Sequence, residues 1–558
     1  MQAYDVCVVG AGISGLACAR RLRELHPGCS LLVLEARDRV GGRTLSVPYR
    51  GDALDLGGQW LGPAQHRTLA LLHDLNLTTI RQTWFDDAAT AQPPPGPAAR
   101  PEPASEPNPA STAPLLLNSG SSLPLSDSEQ RELAALSARL ETWAAGVADP
   151  AAWSRADAAA WDRISVADWL DAHVTSPAVR RELDLLVRTV TASEPSRLSF
   201  LYFMAFLGMA GGLAAVGDGD GGAQSFRVAG GAQQLALRLA ADLRRRGVEI
   251  RLGAAVRRVE WRPDGGHVVL TTARPTPPPV VTSSAPKEVQ MGFVVASTDA
   301  ATAIAGGIQI RTSKLVLAVS PPLWTSLEWS PPLPADKAAV AAGMYMGSAV
   351  KTIAIFRTRF WETAAAADGA AATAAATAPS ASAEPPSAAA EQRHHLEELG
   401  PVANLFPSTV AGSPALIGLV TAGSAVTFAR LTEPERRAAV LQQYEQYFGT
   451  AAARLDCTDF ISKDWMSEPY SQGCFAALMP PGLATRGGAS ARHPIGSGSG
   501  SGGGSVFFAG TELAREWAGY FEGAVEAGER AAEEVAAALR GGSLPNDSSQ
   551  PPRARSRL

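Results

Sequence analysis

The chain reads as an α/β protein of two domains, one of them discontinuous, with low-complexity insertions in its loops. Three observations predict this. A glycine-rich turn, Gly10-Ala-Gly-Ile-Ser-Gly15, stands between an apolar strand-like run and a helical pattern. Short apolar runs then alternate with helical stretches, the pattern of strands and helices packed in layers. At 558 residues the chain is also too long for one compact core. Together they predict a Rossmann-like domain in several pieces, with an α+β domain threaded between them.

In chain order, Tyr4–Val9 reads as a buried strand and Ser14–Leu25 as a helix, with Leu16, Ala19, Leu22 and Arg23 at helical spacing. Leu31–Leu34 is the next strand. Ser126–Ala145 and Val166–Val190 are long helical stretches, the second broken before Pro177, which does not fit inside a helix. Ser199–Leu207 and Pro434–Phe448 are further helices; Val248–Leu252, Lys314–Val319 and Val506–Ala509 are further strands. A final helix carries Ala524, Gly528, Ala531, Val535 and Leu539 on one face. Four segments are biased in composition: Asp86–Pro114, Pro275–Pro286, Ala364–Ala390 and Gly487–Ser505. They hold too little apolar surface to offset the entropy of ordering them, so they read as disordered insertions. The first domain then takes residues 1–82, 225–338 and 460–540, the second 83–224 and 339–459, and 541–558 form a tail.

Composition excludes several classes. A net charge of -5 gives no electrostatic reason to expect nucleic acid. Cys7, Cys18, Cys29, Cys457 and Cys474 are odd in number and form no CxxC pair, which fits a reducing compartment. The sequence offers no signal peptide before the first strand, no transmembrane anchor and no metal site. Its terminal Ser556-Arg557-Leu558 is a close variant of the peroxisomal address, so an import receptor is an expected partner and the peroxisome the expected location, with the cytoplasm otherwise.

The glycine turn has a division of labour. Gly10 permits the tight turn, Gly12 lets backbone approach a pyrophosphate, and Gly15 lets helix pack on strand. Ile13 and Ser14 open the helix, whose free N–H groups suit phosphates. Glu35, twenty residues past Gly15, ends the second strand; its carboxylate accepts from ribose hydroxyls and repels a 2′-phosphate, which argues against NADP. The continuation, Glu35-Ala36-Arg37-Asp-Arg-Val-Gly-Gly42-Arg43, separates FAD from NAD. It allows a second close backbone approach and offers an arginine fork for a diphosphate. A further glycine pair ending at Gly58 precedes Gln59 and Trp60, and near the C-terminus Gly510-Thr511-Glu512 leads to Trp517-Ala-Gly-Tyr520. A rival, an NAD-linked dehydrogenase, predicts colourless protein.

On these residues, and on Tyr470-Ser-Gln-Gly-Cys474-Phe475, the chain resembles the flavin-containing monoamine oxidases. The resemblance covers residues 4–82, 226–231, 248–256, 314–334, 346–361 and 465–540. It implies a discontinuous FAD-binding domain plus a substrate-binding domain, with backbone near Val256 cradling the adenine. It implies that Cys474 holds the flavin covalently through a thioether. Phe475 and Tyr520 then flank the amine path; the family has tyrosine at both positions, so Phe475 departs from it. Lys351 matches a lysine that holds a water against the flavin, Trp60 and Trp465 match aromatics lining flavin or cavity, and Leu419 matches a cavity-wall position. The implied activity is oxidative deamination of primary or short secondary amines to aldehyde, ammonia and hydrogen peroxide, with O2 as oxidant. Two alternatives stay open, a polyamine oxidase of the same fold and a non-catalytic flavin-binding scaffold. The insertions interrupt the region around residues 86–125 and 362–412 that shapes the cavity mouth, so the physiological amine does not carry over, and oligomeric state is open.

Overall fold

The computed structural model describes residues 1–82, 125–217, 221–264, 266–273, 307–362, 396–496 and 504–541. Its larger sheet begins with β1 (Gln2–Val9) and β2 (Leu31–Leu34) and continues with β3 (Glu249–Arg251), β4 (Val256–Glu260), β5 (Val268–Thr272), β6 (Gln309–Leu317) and β7 (Glu328–Ser330). A smaller sheet takes β8 (Ala349–Phe356), β9 (Asn404–Val410), β10 (Ser413–Thr421) and β11 (Cys457–Asp464). The last strand, β12 (Val506–Phe508), returns to the larger sheet.

The larger sheet runs β7-β4-β5-β6-β1-β2-β3, with β12 on β6. β1 lies parallel between β6 and β2, in the register Val9↔Leu317 and Val9↔Leu34. Val6–Val9 are buried, as expected of a strand covered on both faces. β6 is longer than the Lys314–Val319 run predicts. Its first half pairs antiparallel with β5 and alternates exposed with buried residues; its second half pairs parallel with β12 and is buried throughout. Only the second half carries the continuous apolar signal.

Among the helices are α1 (Ile13–Leu25), α2 (Asp127–Val147), α3 (Val166–His173), α4 (Pro177–Thr191), α5 (Phe200–Met209), α6 (Gln233–Arg245), α7 (Glu433–Phe448) and α8 (Phe521–Leu539). The break before Pro177 stands where it was expected, with Ser176 as N-cap and proline at the first turn of α4. Ser126 starts α2 with a capping box to Glu129 rather than lying inside it. On α8 the expected face is packed, with Gly528, Ala531 and Val535 buried, and burial extends beyond it to Glu522, Val525, Ala527 and Ala532, leaving Glu533 exposed. α1 crosses it closely at Gly528, where a Cβ would stand 2.3 Å from Ser14 O.

In the antiparallel smaller sheet, order β9-β10-β8-β11, alternate residues face opposite ways. Val350, Ala354 and Phe356 pack with Tyr444 of α7, while Ile353, Ile355 and Ile417 pack with Leu54 and Leu56. Lys351 and Leu419 are cross-strand partners in that sheet.

The insertions Asp86–Pro114, Pro275–Pro286 and Ala364–Ala390 lie outside the described residues, as do residues 542–558. Gly487–Ser505 is in part a correction. Gly487 and Gly488 are buried in a short helical turn, Ile495 bridges to Val506, and Ser505 is fully buried. Two buried lysines hold this segment: Lys314 Nζ donates to Gly504 O at 2.8 Å, and Lys337 Nζ donates to Ser490 O.

Candidate active site

One cavity of about 640 Å3 runs from the β1–α1 turn to β8 and the start of α8. At the nucleotide end it is lined by Gly10, Gly12, Ile13, Ser14, Glu35, Ala36, Arg37, Gly42 and Val256. Gly10 has φ +104, and a Cβ there would lie 2.7 Å from Ala318 O; a Cβ on Gly15 would lie 1.9 Å from Gly10 O. Gly15 therefore serves packing and does not line the cavity. Gly12 is the opposite case, because a Cβ there would meet nothing within 4 Å. Gly41 N donates to Ala11 O at 2.9 Å, and Gly42, at φ +59, brings the second glycine pair against Gly12. The Glu35 carboxylate accepts from Ala11 N at 2.8 Å and Arg37 N at 2.9 Å, which leaves lone pairs for further donors.

Two assignments need correction. The Arg43 fork is engaged by Glu512, with contacts of 2.5 and 3.2 Å, so its bidentate face meets a carboxylate of the chain instead of standing free for a diphosphate. Glu512 is not a cavity residue. Its side chain is fully buried and also accepts from Ser320 Oγ at 2.6 Å and Ala477 N at 3.2 Å. Burial pushes this carboxyl up, but the Arg43 charge and these hydrogen bonds outweigh it and hold it below its ordinary value. Glu512 thus pins Arg43, which still lines the cavity.

At the other end the cavity is walled by Gly58, Gln59, Trp60, Lys351, Leu419, Trp465, Cys474, Phe475, Gly510, Thr511 and Tyr520. Trp465 Nε1 donates to Leu56 O at 2.8 Å, and Trp60 Nε1 to Gln82 Oε1 at 2.9 Å with its ring tilted on Phe406. Tyr520 caps α8 and stands against Phe206 and Trp517, so the positive end of that helix faces the cavity. The peptide bond joining Cys474 to Phe475 is cis, and Phe475 O accepts from Arg43 Nη1 at 2.8 Å. Burial pushes the Cys474 thiol up to about 12, against the pull of Arg43 and Lys351.

Lys351 is the central charge of this end. It is 5% exposed and donates to Gly57 O at 3.0 Å and to Gln59 Oε1. Burial pushes its ammonium down to about 7, with Asp55 opposing and Arg227 assisting. Sequence reasoning missed Thr189, Thr191, Phe206, Gln224 and Phe406, which also line the cavity. α5 is apolar all round, which signals burial without saying that Phe206 reaches a cavity.

A flavin fits these residues. The open space over Gly12, the two glycine pairs and the unpartnered buried Gln59 Nε2 form a cradle of the right size and polarity. The sequence profile of the flavin-containing amine oxidoreductases matches residues 13–536.

The chain belongs to that family.

A flavin-containing amine oxidase of Oncorhynchus mykiss is 28% identical over 536 residues, covering 95% of this chain and 85% of its own. The flavin-containing amine oxidase B of Sus scrofa is 28% identical over 552 residues, covering 97% and 88%. Among solved structures, the cyclohexylamine oxidase of Brevibacterium oxydans superposes with a TM-score of 0.70 at 26% identity, over 96% of this chain and 99% of that one. As a flavin amine oxidase, this chain is an FAD-dependent oxidoreductase acting on amines. Among its described residues no helix is long and apolar enough to cross a membrane, and no cluster of side chains would hold a metal ion.

Proposed function

We propose that this amine oxidase deaminates primary or short secondary monoamines with an apolar tail, giving aldehyde, ammonia and hydrogen peroxide. The observation that carries the reading is the charge of the cavity wall. Among the described residues its lining includes a single carboxylate, Glu35, which stands at the nucleotide end among backbone donors. A diamine or polyamine would bring a second ammonium to a wall of Leu419, Phe406, Phe475 and Tyr520, where no described residue offers an acid.

The flavin supplies the two-electron oxidation of the amine to an imine and the return of those electrons to O2. The chain's residues do the rest. Gly10, Gly12, Glu35 and Gly42 would hold the nucleotide half, and Cys474 would attach the ring. Phe475 and Tyr520 present aromatic faces that accept an uncharged amine and exclude water. Lys351, on the same wall, would set a cationic side chain near the ring and favour the negative charge of its reduced form. The terminal Ser556-Arg557-Leu558, outside the described residues, would direct the enzyme to peroxisomes, where peroxide is a tolerated product.

A peroxide-coupled assay with benzylamine, tyramine, putrescine and spermine tests the substrate class. Turnover of the first two, with the last two slower by at least about tenfold, is expected. Preference for putrescine or spermine would establish the polyamine reading instead. Bound flavin that no amine bleaches under anaerobic conditions would leave only the scaffold.

A further inference from the structure

Gln59 is 2% exposed on the cavity wall, and its two amide ends are treated unequally. Oε1 accepts from Lys351 Nζ, whereas Nε2 is buried with no hydrogen-bond partner. An ammonium only donates, so Lys351 fixes which end of the amide faces it and forces the NH2 group to point elsewhere. A buried amide N–H left unpaired is costly, and its persistence at a cavity wall marks a place for an acceptor that arrives with a ligand.

The same short stretch surrounds the ammonium. Gly57 O accepts a second N–H at 3.0 Å, and the Trp60 ring lies 5.1 Å away. The charged and titratable groups nearby are Asp55, Arg227, Cys474 and, across the strand pair, Lys463. Each is engaged or uncharged. Asp55 accepts from Ser46 Oγ at 2.5 Å and Ala232 N at 2.9 Å, Arg227 donates to Ser408 Oγ, Lys463 pairs with Glu468, and the Cys474 thiol is neutral. Gln59 and Gly57 are therefore the acceptors that hold Lys351 directly.

We propose that Gln59 positions Lys351 for the reaction: its carbonyl oxygen holds the ammonium at the wall, and its amide N–H donates to a carbonyl or ring nitrogen of the bound flavin. The proposal rests on the flavin reading above. A neutral acceptor leaves the lysine free to titrate near neutrality. A carboxylate in its place would keep the ammonium charged to higher pH, and an apolar side chain would release it.

The test follows the absorbance band of oxidised flavin in the loaded, full-length chain from about pH 5 to about pH 10, since a charge titrating beside the ring shifts the band. The wild-type midpoint is expected near 7, where burial has placed the Lys351 ammonium. Gln59→Glu should raise it by about 1–2 units and Gln59→Met lower it by about 1 unit. Flavin content per chain, read on the same samples, should fall severalfold in Gln59→Met, which lacks the donor. A midpoint unmoved in the loaded variants overturns the proposal; if one variant does not fold, the other decides by the same criterion. A wild-type chain that takes up no flavin overturns this proposal and the functional reading together. Flavin uptake without amine turnover sinks the functional reading alone, and the midpoint shift still decides the role of Gln59.

Discussion

Cys474 is a buried thiol at 8% exposure, set between Gly347 and the cavity, with Arg43 and Lys351 as the cations that draw it toward the thiolate. With its proton pushed up to about 12, such a thiol is a poor nucleophile on its own. Attachment is therefore expected to require bound flavin. Acid-precipitated wild-type protein should give a yellow pellet, and Cys474→Ser a colourless pellet under a yellow supernatant. A colourless wild-type pellet would remove Cys474 from the cofactor's chemistry while leaving the cradle intact. The residue that could be placed from sequence here was the cysteine itself, because the short motif around it is local. The engagement of Arg43 by Glu512 could not be read that way, since 469 residues separate the two along the chain. From its position beside a glycine pair alone, Arg43 reads as a diphosphate ligand.

At the scale of elements, the contact between α1 and α8 holds the two ends of the chain together. Gly528 makes it possible, because Ser14 O and Cys18 N stand 2.3 and 3.0 Å from where a Cβ would be, and both are backbone atoms that cannot step aside. Gly528→Ala should push α8 away from the turn that carries Gly12. Overpacking of this kind costs about 1–3 kcal/mol, so lower thermal stability together with reduced flavin content is expected. Unchanged melting and full loading would show that α8 tolerates the shift. The existence of both helices was readable from apolar periodicity, and the break before Pro177 from proline chemistry. The burial of α8 beyond one face was less so: its small residues, Ala and Gly, carry little hydrophobic signal yet allow the closest packing. In β6 the antiparallel half is hidden for a related reason, since Gln309, Arg311 and Ser313 face out and dilute the apolar run.

At the scale of the whole molecule, the cavity wall draws on the first sixty residues, the ends of α4 and α5, the start of β4, the turns after β6 and β12, β8, β9 and β10 of the smaller sheet, the 465–476 loop and the start of α8. This explains what sequence reading reached. The glycine turn, Glu35 and the closing helix each announce themselves within a dozen residues, whereas Thr189, Phe206 and Phe406 reach the cavity only through long-range packing. It also sets the consequence of filling the cavity. A ligand that touches segments from both sheets adds contacts between elements that already meet beside the cavity, and it binds only when all of them are in place. FAD added to the Cys474→Ser protein, from which flavin can be removed, should therefore raise the unfolding temperature in proportion to the logarithm of its concentration. At about a thousandfold over Kd the linkage is worth about 4 kcal/mol. The rise should appear in one transition that includes both sheets, followed by tryptophan fluorescence of Trp465 near the smaller sheet and of Trp324, packed against Phe508 of β12. If only one probe shifts with FAD, the cavity does not couple the two sheets. A wall so divided that one sheet unfolds around a still-bound ligand would then require the flavin to rest on the nucleotide half alone.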